Sequence, residues 1–388
     1  MADDVPQPAL IYLVAGEQSG DVLGARLIEA LRALRPGLRF AGVGGPRMEE
    51  HGLAPLFPMH ELAVMGFLEV LPRVLALRRR LHETAADIRT RRPAVVVTID
   101  SPGFTLRLLR LLAGAGVPRV HYVAPQAWAW KEKRVKHFPG LWEKLLCLLP
   151  FEPEFFARHG LEATFVGHPV LQSGAGEGDA ARFRARHGLA ASARVLVLMP
   201  GSRRSEVGRL LPLFGATLER LAGRIPGLAP VVPVASAVAE SVHRATAGWP
   251  TPPVVVTELA DKHDAYAAAD AALTKSGTST LELALAGVPM AVAYRVNPLT
   301  AAIARRLIKV PYVSILNLLA GRPVVPELLQ ENCTPEKLAD TVAALMDDPA
   351  ARAAQRAACR AVLAQLHPPA GTPAEAAARE ILALVAKP

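Results

Sequence analysis

The sequence predicts an α/β protein built from two Rossmann-like domains with parallel sheets that face each other across a cleft. Short apolar runs alternate with helical patterns along the whole chain, as in proteins whose parallel strands are joined by helices. The runs form two sets, and the Gly-rich segment 171–179 between them is typical of a linker. A length of 388 residues with 51% hydrophobic composition is enough for cores in two or three domains.

The apolar runs locate the strands of both domains. In the first domain, strands are predicted at 10–15, 38–43, 95–99, 120–123, 145–149 and 164–166. In the second, they are predicted at 195–198, 231–234, 254–257, 271–273 and 290–293, followed by Ala-rich helices at 335–346 and 350–366. We therefore predict a first domain over 1–170, a second over 180–372, and a C-terminal helix within 373–388 that packs back on the first domain.

Composition and charge narrow the expected partners. The chain carries a formal net charge of +9 and has an isoelectric point near 9.8. Nucleic acid is not expected, because the sequence lacks helix-turn-helix, zinc-finger and RNP signatures and has only 5% aromatic residues. No apolar run reaches the roughly 18 to 20 residues of a membrane span, and the acidic N-terminus is unlike a secretory signal. Three cysteines without metal-ligand spacing indicate reduced thiols and a cytoplasmic location.

Two turns in the second domain indicate a site for a nucleotide diphosphate. The segments 198–206 (LMPGSRRSE) and 275–282 (KSGTSTLE) each follow an apolar strand and lead into a helix. A helix N-terminus offers unpaired N–H groups and partial positive charge to a phosphate. Gly201 lets the backbone approach an oxyanion, Arg203 can bond a diphosphate, and Glu282 can accept from ribose hydroxyls. An ordinary structural turn is the alternative for each segment.

Polar side chains also follow two predicted strands of the first domain. Glu17 and Ser19 come after the first strand, and Asp100 ends the apolar run 95–99. Ligands in open α/β sheets bind beyond the carboxyl ends of the strands, which makes Asp100 the best general-base candidate and Glu17 the reserve. The alternatives are that Ser19 or Asp21 caps a helix and that Asp100 only starts a turn.

The segment 121–134 (HYVAPQAWAWKEKR) places two tryptophans beside basic residues. Trp128 with Lys131 and Arg134 can hold a large, partly apolar, anionic acceptor. The alternative is that the tryptophans are packing anchors and that the basic residues form a solvated face. Both interpretations stay open at this point.

An amphipathic segment at 65–81 predicts a surface that lies against anionic lipid. Its apolar residues recur at helical spacing and arginines flank them, as in interfacial helices. The apolar residues are Phe67, Leu68, Leu71, Val74 and Leu75, and the arginines are Arg73, Arg78, Arg79 and Arg80. An ordinary domain helix packed on the sheet is the alternative. Together with the high isoelectric point, the segment favours peripheral membrane association.

Several short motifs occur in order along the chain. They are 14–21 (VAGEQSGD), 45–48 (GPRM), 62–66 (LAVMG), 99–102 (IDSP), 121–123 (HYV), 128–130 (WAW), 200–203 (PGSR), 276–278 (SGT) and 312–321 (YVSILNLLAG). Together they resemble the lipid-A-disaccharide synthase family, inverting glycosyltransferases of the two-domain GT-B architecture. The resemblance implies transfer of diacylglucosamine from its UDP derivative to 2,3-diacylglucosamine 1-phosphate. The implied products are UDP and the lipid A disaccharide 1-phosphate of lipopolysaccharide biosynthesis.

The resemblance also implies roles for individual residues. On the acceptor side it indicates Glu17, Ser19 and Asp100. For the UDP-sugar it indicates Gly201, Ser202, Arg203, Ser276, Gly277, Thr278, Glu282 and Asn317. Family members often carry Asp where this chain has Gly103, so a base at that second position is absent and Asp100 is the stronger choice.

The expected partners follow from the same resemblance. They are the UDP-diacylglucosamine donor, the acylated glucosamine phosphate acceptor and the lipid surface of the inner membrane, to whose cytoplasmic face the protein would bind peripherally. A homodimer is also expected. No Asp-x-Asp motif occurs, so we expect no metal ion and no cofactor, with Arg203 and helix-terminal N–H groups compensating the diphosphate charge.

Two other functions remain open at the level of sequence. A UDP-sugar epimerase with the same two-domain shape would not need the basic amphipathic segment 65–81. A non-catalytic nucleotide-binding membrane module would bind UDP without turnover and would leave Asp100 unexplained. A kinase, an ATPase or a dehydrogenase is disfavoured, because neither a P-loop nor a Gly-x-Gly-x-x-Gly helix start is present.

Overall fold

The computed structural model describes residues 8–62, 70–130, 132–297, 301 and 310–385, without the side chains of 70–74 and 237. The chain forms two compact units. The first combines the chain up to Pro169 with the segment from Leu366 onward, and the second runs from Val170 to Gln365. Residues 366–372, placed with the second domain from the sequence, therefore belong to the first unit.

The first unit is built on a seven-stranded parallel sheet. Its strands are β1 (Leu10–Ala15), β2 (Arg39–Val43), β3 (Leu53–Pro55), β4 (Val95–Ile99), β5 (Arg119–Tyr122), β6 (Lys144–Cys147) and β7 (Thr164–Phe165). Their order is β3-β2-β1-β4-β5-β6-β7, which reverses direction between β1 and β4. At such a reversal the loops after the two strands diverge and leave a crevice at the carboxyl edge of the sheet.

Helices cover both faces of this sheet. They are α1 (Gln18–Leu34), α2 (Pro46–Glu50), α3 (Val70–Arg91), α4 (Pro102–Leu111), α5 (Ala127–Trp130) and α6 (Glu152–Ala157). Alternate residues of β1 enter separate cores: Ile11 and Leu13 pack towards α1, and Tyr12 and Val14 pack towards α3 and α4. This alternation explains why the strand is apolar throughout, since both of its faces are buried.

The second unit contains a six-stranded parallel sheet. Its strands are β8 (Arg194–Met199), β9 (Leu228–Pro233), β10 (Val254–Val256), β11 (Ala271–Thr274), β12 (Met290–Tyr294) and β13 (Glu327–Leu329). Their order is β10-β9-β8-β11-β12-β13, with the reversal between β8 and β11. The helices of this unit are α7 (Ala180–Arg186), α8 (Arg204–Leu221), α9 (Ser236–Thr246), α10 (Leu259–Ala268), α11 (Thr278–Leu285), α12 (Ile315–Ala320), α13 (Pro335–Asp347) and α14 (Pro349–Ala364).

The last helix, α15 (Pro373–Leu382), packs against α1 of the first unit. Ile381 shares a buried core with Leu27 of α1. Lys144 of β6 also forms an ion pair with Glu380 of this helix. The C-terminal segment is thus part of the first unit although the whole second unit precedes it in sequence.

The predicted fold class, an α/β protein with two parallel sheets, is confirmed. The apolar runs of the sequence do not predict the strands β3 and β13. Over the described ranges, no helix combines the length and the apolar character that crossing a membrane requires.

Candidate functional site

In the first unit, Glu17 and Asp100 follow the two strands that flank the reversal. Glu17 lies one residue beyond β1, after Gly16, as the residue before α1, and it is exposed. Asp100 comes directly after β4 and is half-buried. Burial raises the pKa of the Asp100 carboxyl, and the negative charge of Glu17 nearby raises it further. A carboxyl with a raised pKa accepts a proton more readily than an exposed aspartate does.

The backbone that carries Asp100 is strained. Asp100 and Ser101 have φ angles of +49° and +47°, in the left-handed region that non-glycine residues rarely occupy. The Asp100 N–H donates to the Tyr122 carbonyl at 2.9 Å, and the Thr105 hydroxyl donates to the Asp100 carbonyl at 2.7 Å. Strain of this kind costs about 1 to 3 kcal/mol per residue and is concentrated at functional sites. The turn therefore holds Asp100 in one backbone conformation at the expense of stability.

The Ser101 hydroxyl is a further feature of this turn, and no sequence pattern indicates it. Its Oγ is buried and has no hydrogen-bond partner among the described residues. A Cβ atom at position 16 would lie 2.8 Å from this Oγ, so only Gly16 leaves room for it. Buried polar atoms without a partner are rare, and this one lies directly beside Asp100 in the strained turn.

The structure separates the roles of Ser19 and Asp21. Ser19 is exposed in the first turn of α1, and the side chain of Glu17, the residue before this helix, forms no capping hydrogen bond. Asp21 is buried, and its carboxylate accepts the N–H groups of Gly45 at 2.9 Å, Arg47 at 3.1 Å and Met48 at 3.0 Å. Asp21 therefore caps α2 rather than α1, a contact between residues more than 20 positions apart that local spacing does not reveal.

The candidate acceptor residues have different environments. The Trp128 indole N–H donates to Glu152 at 3.0 Å, and its ring packs edge-on against Phe151 with centroids 5.0 Å apart. Burial raises the pKa of Glu152 to about 7. These contacts fit the packing-anchor interpretation of Trp128. Arg134 is exposed and forms no ion pair within the described part of the chain, and Lys131 lies outside the described residues.

In the second unit, the two predicted phosphate loops lie side by side. The loop 200–203 follows β8 and the loop 275–277 follows β11, the neighbouring strands at the reversal. The helices α8 and α11 start directly after these loops, so both N-termini lie at the same sheet edge. Gly201 has a φ of +109°, and a Cβ atom there would collide with the Glu206 carboxylate. Two adjacent helix N-termini form a favourable place for an anion.

A carboxylate ties these two loops together. Glu206 accepts the N–H groups of Ser202 at 3.2 Å and Arg203 at 3.3 Å, and its other oxygen pairs with the Lys275 Nζ at 2.9 Å. Sequence motifs alone indicate no role for Lys275. The pair holds the two loops in a fixed relation, because each partner lies next to one of them.

Three of the predicted polar groups of this unit are open to solvent. The Arg203 side chain is 71% exposed, and the nearest carboxylate oxygen, from Glu206, is 3.8 Å away. Ser202 and Thr278 are exposed as well. These groups can meet a ligand without breaking a strong existing contact. Among the described residues, no cluster of three or more His, Cys, Asp and Glu side chains could hold a metal ion.

Glu282 is positioned by α10. Its Oε2 atom accepts the Lys262 ammonium at 2.9 Å and the Tyr266 hydroxyl at 3.1 Å. A carboxylate has about four acceptor positions, so these two bonds leave capacity for a ligand hydroxyl. Glu282 is thus held in place and still able to accept a further hydrogen bond.

Every hydrogen-bonding position of the Asn317 side chain is occupied by another group of the protein. Its Oδ1 accepts the N–H groups of Val324 at 2.7 Å and Val325 at 2.9 Å, and its Nδ2 donates to the Val325 carbonyl and to Glu327. An amide has two donors and two acceptor positions, so none is left for a ligand. The hydrogen bonds of Asn317 therefore hold the segment 324–327 in place, whereas the resemblance implies a contact with the ligand. Ser276 is also engaged, since its hydroxyl donates to a backbone carbonyl at 2.7 Å.

Part of the predicted lipid-facing segment is visible on α3. Leu75 is 72% exposed, although it is a large apolar side chain. Arg80 bonds to Glu61 at 2.6 Å and to Glu83 at 2.7 Å and lies over the Phe57 ring, so its charge is already compensated. Phe67 and Leu68 lie outside the described residues, as do the side chains of Leu71 and Val74.

Comparison with known proteins decides the family. A protein-family model described as Lipid-A-disaccharide synthetase matches residues 11–381. The lipid-A-disaccharide synthase of Granulibacter bethesdensis is 63% identical over 384 residues, covering 96% of this chain and 98% of that relative. The chain belongs to the lipid-A-disaccharide synthase family. It is therefore a glycosyltransferase of lipid A biosynthesis, as the motifs implied.

Solved structures of low identity share the fold of this lipid-A-disaccharide synthase family member. The glycotransferase of kitacinnamycin aligns with a TM-score of 0.63 at 19% identity, covering 98% of this chain and 100% of that chain. The UDP-GlcNAc 2-epimerase from Neisseria meningitidis bound to UDP-GlcNAc aligns with a TM-score of 0.64 at 11% identity, covering 96% and 98%. The GT-B architecture is thus confirmed. Because an epimerase shares it, family membership and not the fold disfavours the epimerase interpretation.

Proposed function

We propose that this chain condenses UDP-2,3-diacylglucosamine with 2,3-diacylglucosamine 1-phosphate and releases UDP. In this proposal the first unit supplies the acceptor site and the base, and the second unit supplies the nucleotide site. One observation supports it most directly: each unit carries its reactive loops at its strand-order reversal. The loops of the first unit carry two carboxylates, and those of the second end at two helix N-termini.

The second unit fits the diphosphate of the donor. The exposed Arg203 side chain and the N–H groups at the starts of α8 and α11 can compensate the charge that develops on UDP as it leaves. We assign Glu282 to a ribose hydroxyl, because the hydrogen bond from Lys262 holds its carboxylate in place and that carboxylate can still accept a further hydrogen bond. Asn317 is assigned as a positioning residue, since its hydrogen bonds hold the segment that leads to Glu327.

Asp100 is the proposed base. The oxygen of the acceptor's primary hydroxyl forms a bond to the anomeric carbon while its proton passes to the Asp100 carboxylate. The bond between the anomeric carbon and the UDP oxygen breaks, and its electron pair leaves on UDP. Attack from the face opposite UDP inverts the anomeric configuration. Contact of the acceptor with Ser19, Lys131 and Arg134 remains part of the proposal, and Trp128 supports this region by packing.

Product analysis tests the proposal. The protein is mixed with both acylated substrates, and mass spectrometry is expected to detect the tetraacyl disaccharide 1-phosphate together with UDP in equal amounts. Incubation with the donor alone is the control and should leave the donor sugar unchanged. Conversion of the donor to an epimer, or UDP binding without any product, would reject the proposal in favour of one of the other two interpretations.

The pH dependence of turnover distinguishes Asp100 from Glu17. The Glu17 charge helps to raise the pKa of Asp100, so Glu17→Gln should lower that pKa and keep Asp100 ionised at lower pH. The acidic limb of the profile of kcat/KM against pH is therefore expected to move to lower pH, with the maximum rate largely retained. A limb that stays in place or moves to higher pH would contradict the assignment of Asp100 as the titrating base.

We infer that the first unit binds the membrane peripherally through the start of α3. The exposed Leu75 and the exposed Arg78 and Arg79 after it combine an apolar group with cationic charge. An anionic bilayer surface attracts such a combination, at about 1 kcal/mol for each basic residue near it.

Leu75→Ser is expected to weaken binding to vesicles of phosphatidylglycerol and phosphatidylethanolamine by about ten-fold, because burying a leucine side chain contributes about 1.5 to 3 kcal/mol. Vesicle sedimentation measures the effect. Leu259→Ser is the matched control, since Leu259 is also exposed, at 58%, but lies on α10 of the second unit. Equal losses for both variants, or no loss for Leu75→Ser, would contradict a lipid contact at Leu75.

A further inference from the structure

The first unit contains a cavity of about 530 Å³ beside α4, which we call the arginine cavity. This volume is within the range of roughly 300 to 1,000 Å³ that small-molecule sites occupy. Its cationic lining consists of Arg107 and Arg110 of α4 together with Arg134 from the turn after α5, and His137 of the same turn also lines it. Leu106 and Phe138 are buried and form part of an apolar floor beneath these charges.

The arginines of this cavity lack counter-charges among the described side chains. In the described part of the chain, Arg107, Arg110 and Arg134 form no ion pair with a carboxylate. Other arginines of the same unit do: Arg80 pairs with Glu61, and Arg119 with Glu143. Like charges that share a cavity repel each other, so an anion that binds between them relieves this repulsion. Guanidinium groups suit phosphate oxygens especially well, because they can donate two parallel hydrogen bonds.

The cavity begins next to the proposed base. Gly103 lines it in the first turn of α4, directly after the Asp100 turn. Arg107 and Arg110 lie four and seven residues further along, on the same face of the helix. The rise from Gly103 to Arg107 is about 6 Å, and helical side chains lean towards the N-terminus. One sugar ring can therefore span from the Asp100 turn to the arginine side chains.

We propose that the arginine cavity binds the phosphate monoester of the acceptor sugar and so selects acceptors that carry it. This inference rests on the proposed function for the identity of the acceptor. A phosphate monoester could also come from inorganic phosphate, and a phosphodiester of a lipid headgroup offers similar oxygens. The cavity is assigned to the acceptor because it adjoins the residue that receives the hydroxyl proton.

Arg107→Gln and Arg110→Gln should each raise the KM for the phosphorylated acceptor about ten-fold or more, with kcat and the donor KM unchanged. With 2,3-diacylglucosamine that lacks the phosphate, the variants and the unchanged protein should have the same KM. Arg92→Gln is the matched control, because Arg92 is exposed and precedes β4 at the opposite sheet edge. A rise in KM of equal size for both acceptors would overturn the proposal.

Substitutions of Gly103 test the charge of the cavity without removing an arginine. A Cβ atom at Gly103 meets no atom within 4 Å, so a side chain fits there. Gly103→Asp adds a carboxylate that competes for the arginines, so its KM for the phosphorylated acceptor should exceed that of Gly103→Asn, which adds a side chain of the same size without the charge. The same KM for the two variants would count against an anion site.

A titration that does not depend on turnover separates this proposal from the proposed function. Inorganic phosphate is titrated into the free protein by calorimetry, and Arg107→Gln should weaken its binding about ten-fold. If no disaccharide forms but this loss is observed, the proposed function fails and the anion site stands. If Arg107→Gln binds inorganic phosphate as tightly as the protein without the substitution, the proposal of an anion site is overturned. If Arg107→Gln loses binding to phosphatidylglycerol vesicles while its KM for the phosphorylated acceptor is unchanged, the cavity binds a lipid headgroup and its assignment to the acceptor is overturned.

Discussion

Asp100→Asn is expected to lower turnover by about 100-fold or more, because an amide cannot accept the proton of the attacking hydroxyl. The substitution keeps the size of the side chain. Asparagine also tolerates the left-handed backbone conformation, so the φ of +49° at this position is retained. UDP affinity should therefore stay nearly unchanged. Steady-state measurement of disaccharide formation and calorimetry with UDP check the two parts of this expectation.

The control for this change is Asp340→Asn, a surface position of α13 whose side chain is 71% exposed. It should retain full turnover. If Asp100→Asn turns over at a near-normal rate, the role of base passes to Glu17, and Glu17→Gln should then show the loss of about 100-fold. A loss of UDP affinity in Asp100→Asn would instead indicate a general structural effect.

Arg203→Ala is expected to lower UDP affinity by about ten-fold to over a hundred-fold, since losing a charge-assisted hydrogen bond costs about 1.5 to 3 kcal/mol. Stability should change little, because the side chain is 71% exposed and its pair with Glu206 spans 3.8 Å. Calorimetric titration with UDP measures the affinity, and thermal unfolding measures the stability.

Arg244→Ala is a closely matched control for the loss of charge. Arg244 is 75% exposed and pairs with Glu240 of α9 at 3.7 Å, much as Arg203 pairs with Glu206. Arg244 lies near the end of α9, away from the loops after β8 and β11. UDP affinity should not change in this variant. Equal affinities in the two variants and the unchanged protein would remove Arg203 from the nucleotide site.

Most of the fold could be predicted from the sequence. Segments such as 95–99 and 195–198 read as continuous apolar runs because helices bury both faces of a parallel strand, and both are strands in the structure. The positions of Glu17, Asp100 and Arg203 after strands could be predicted for the same reason, since parallel strands place their carboxyl ends at one edge. These features depend on local pattern and on the general rules of parallel sheets.

The sequence by itself thus determined the fold class, the motifs and the loops in which polar groups occur. Only the tertiary structure decided which of these groups remain open to a ligand. The hydrogen-bonding groups of the Asn317 side chain are all used by residues close to it in sequence, and the Asp21 carboxylate caps α2. Arg107 and Arg110, by contrast, have no carboxylate partner in the described structure. Hydrogen bonding and charge compensation depend on groups that are distant in sequence and come together only when the chain folds, so local periodicity cannot reveal them.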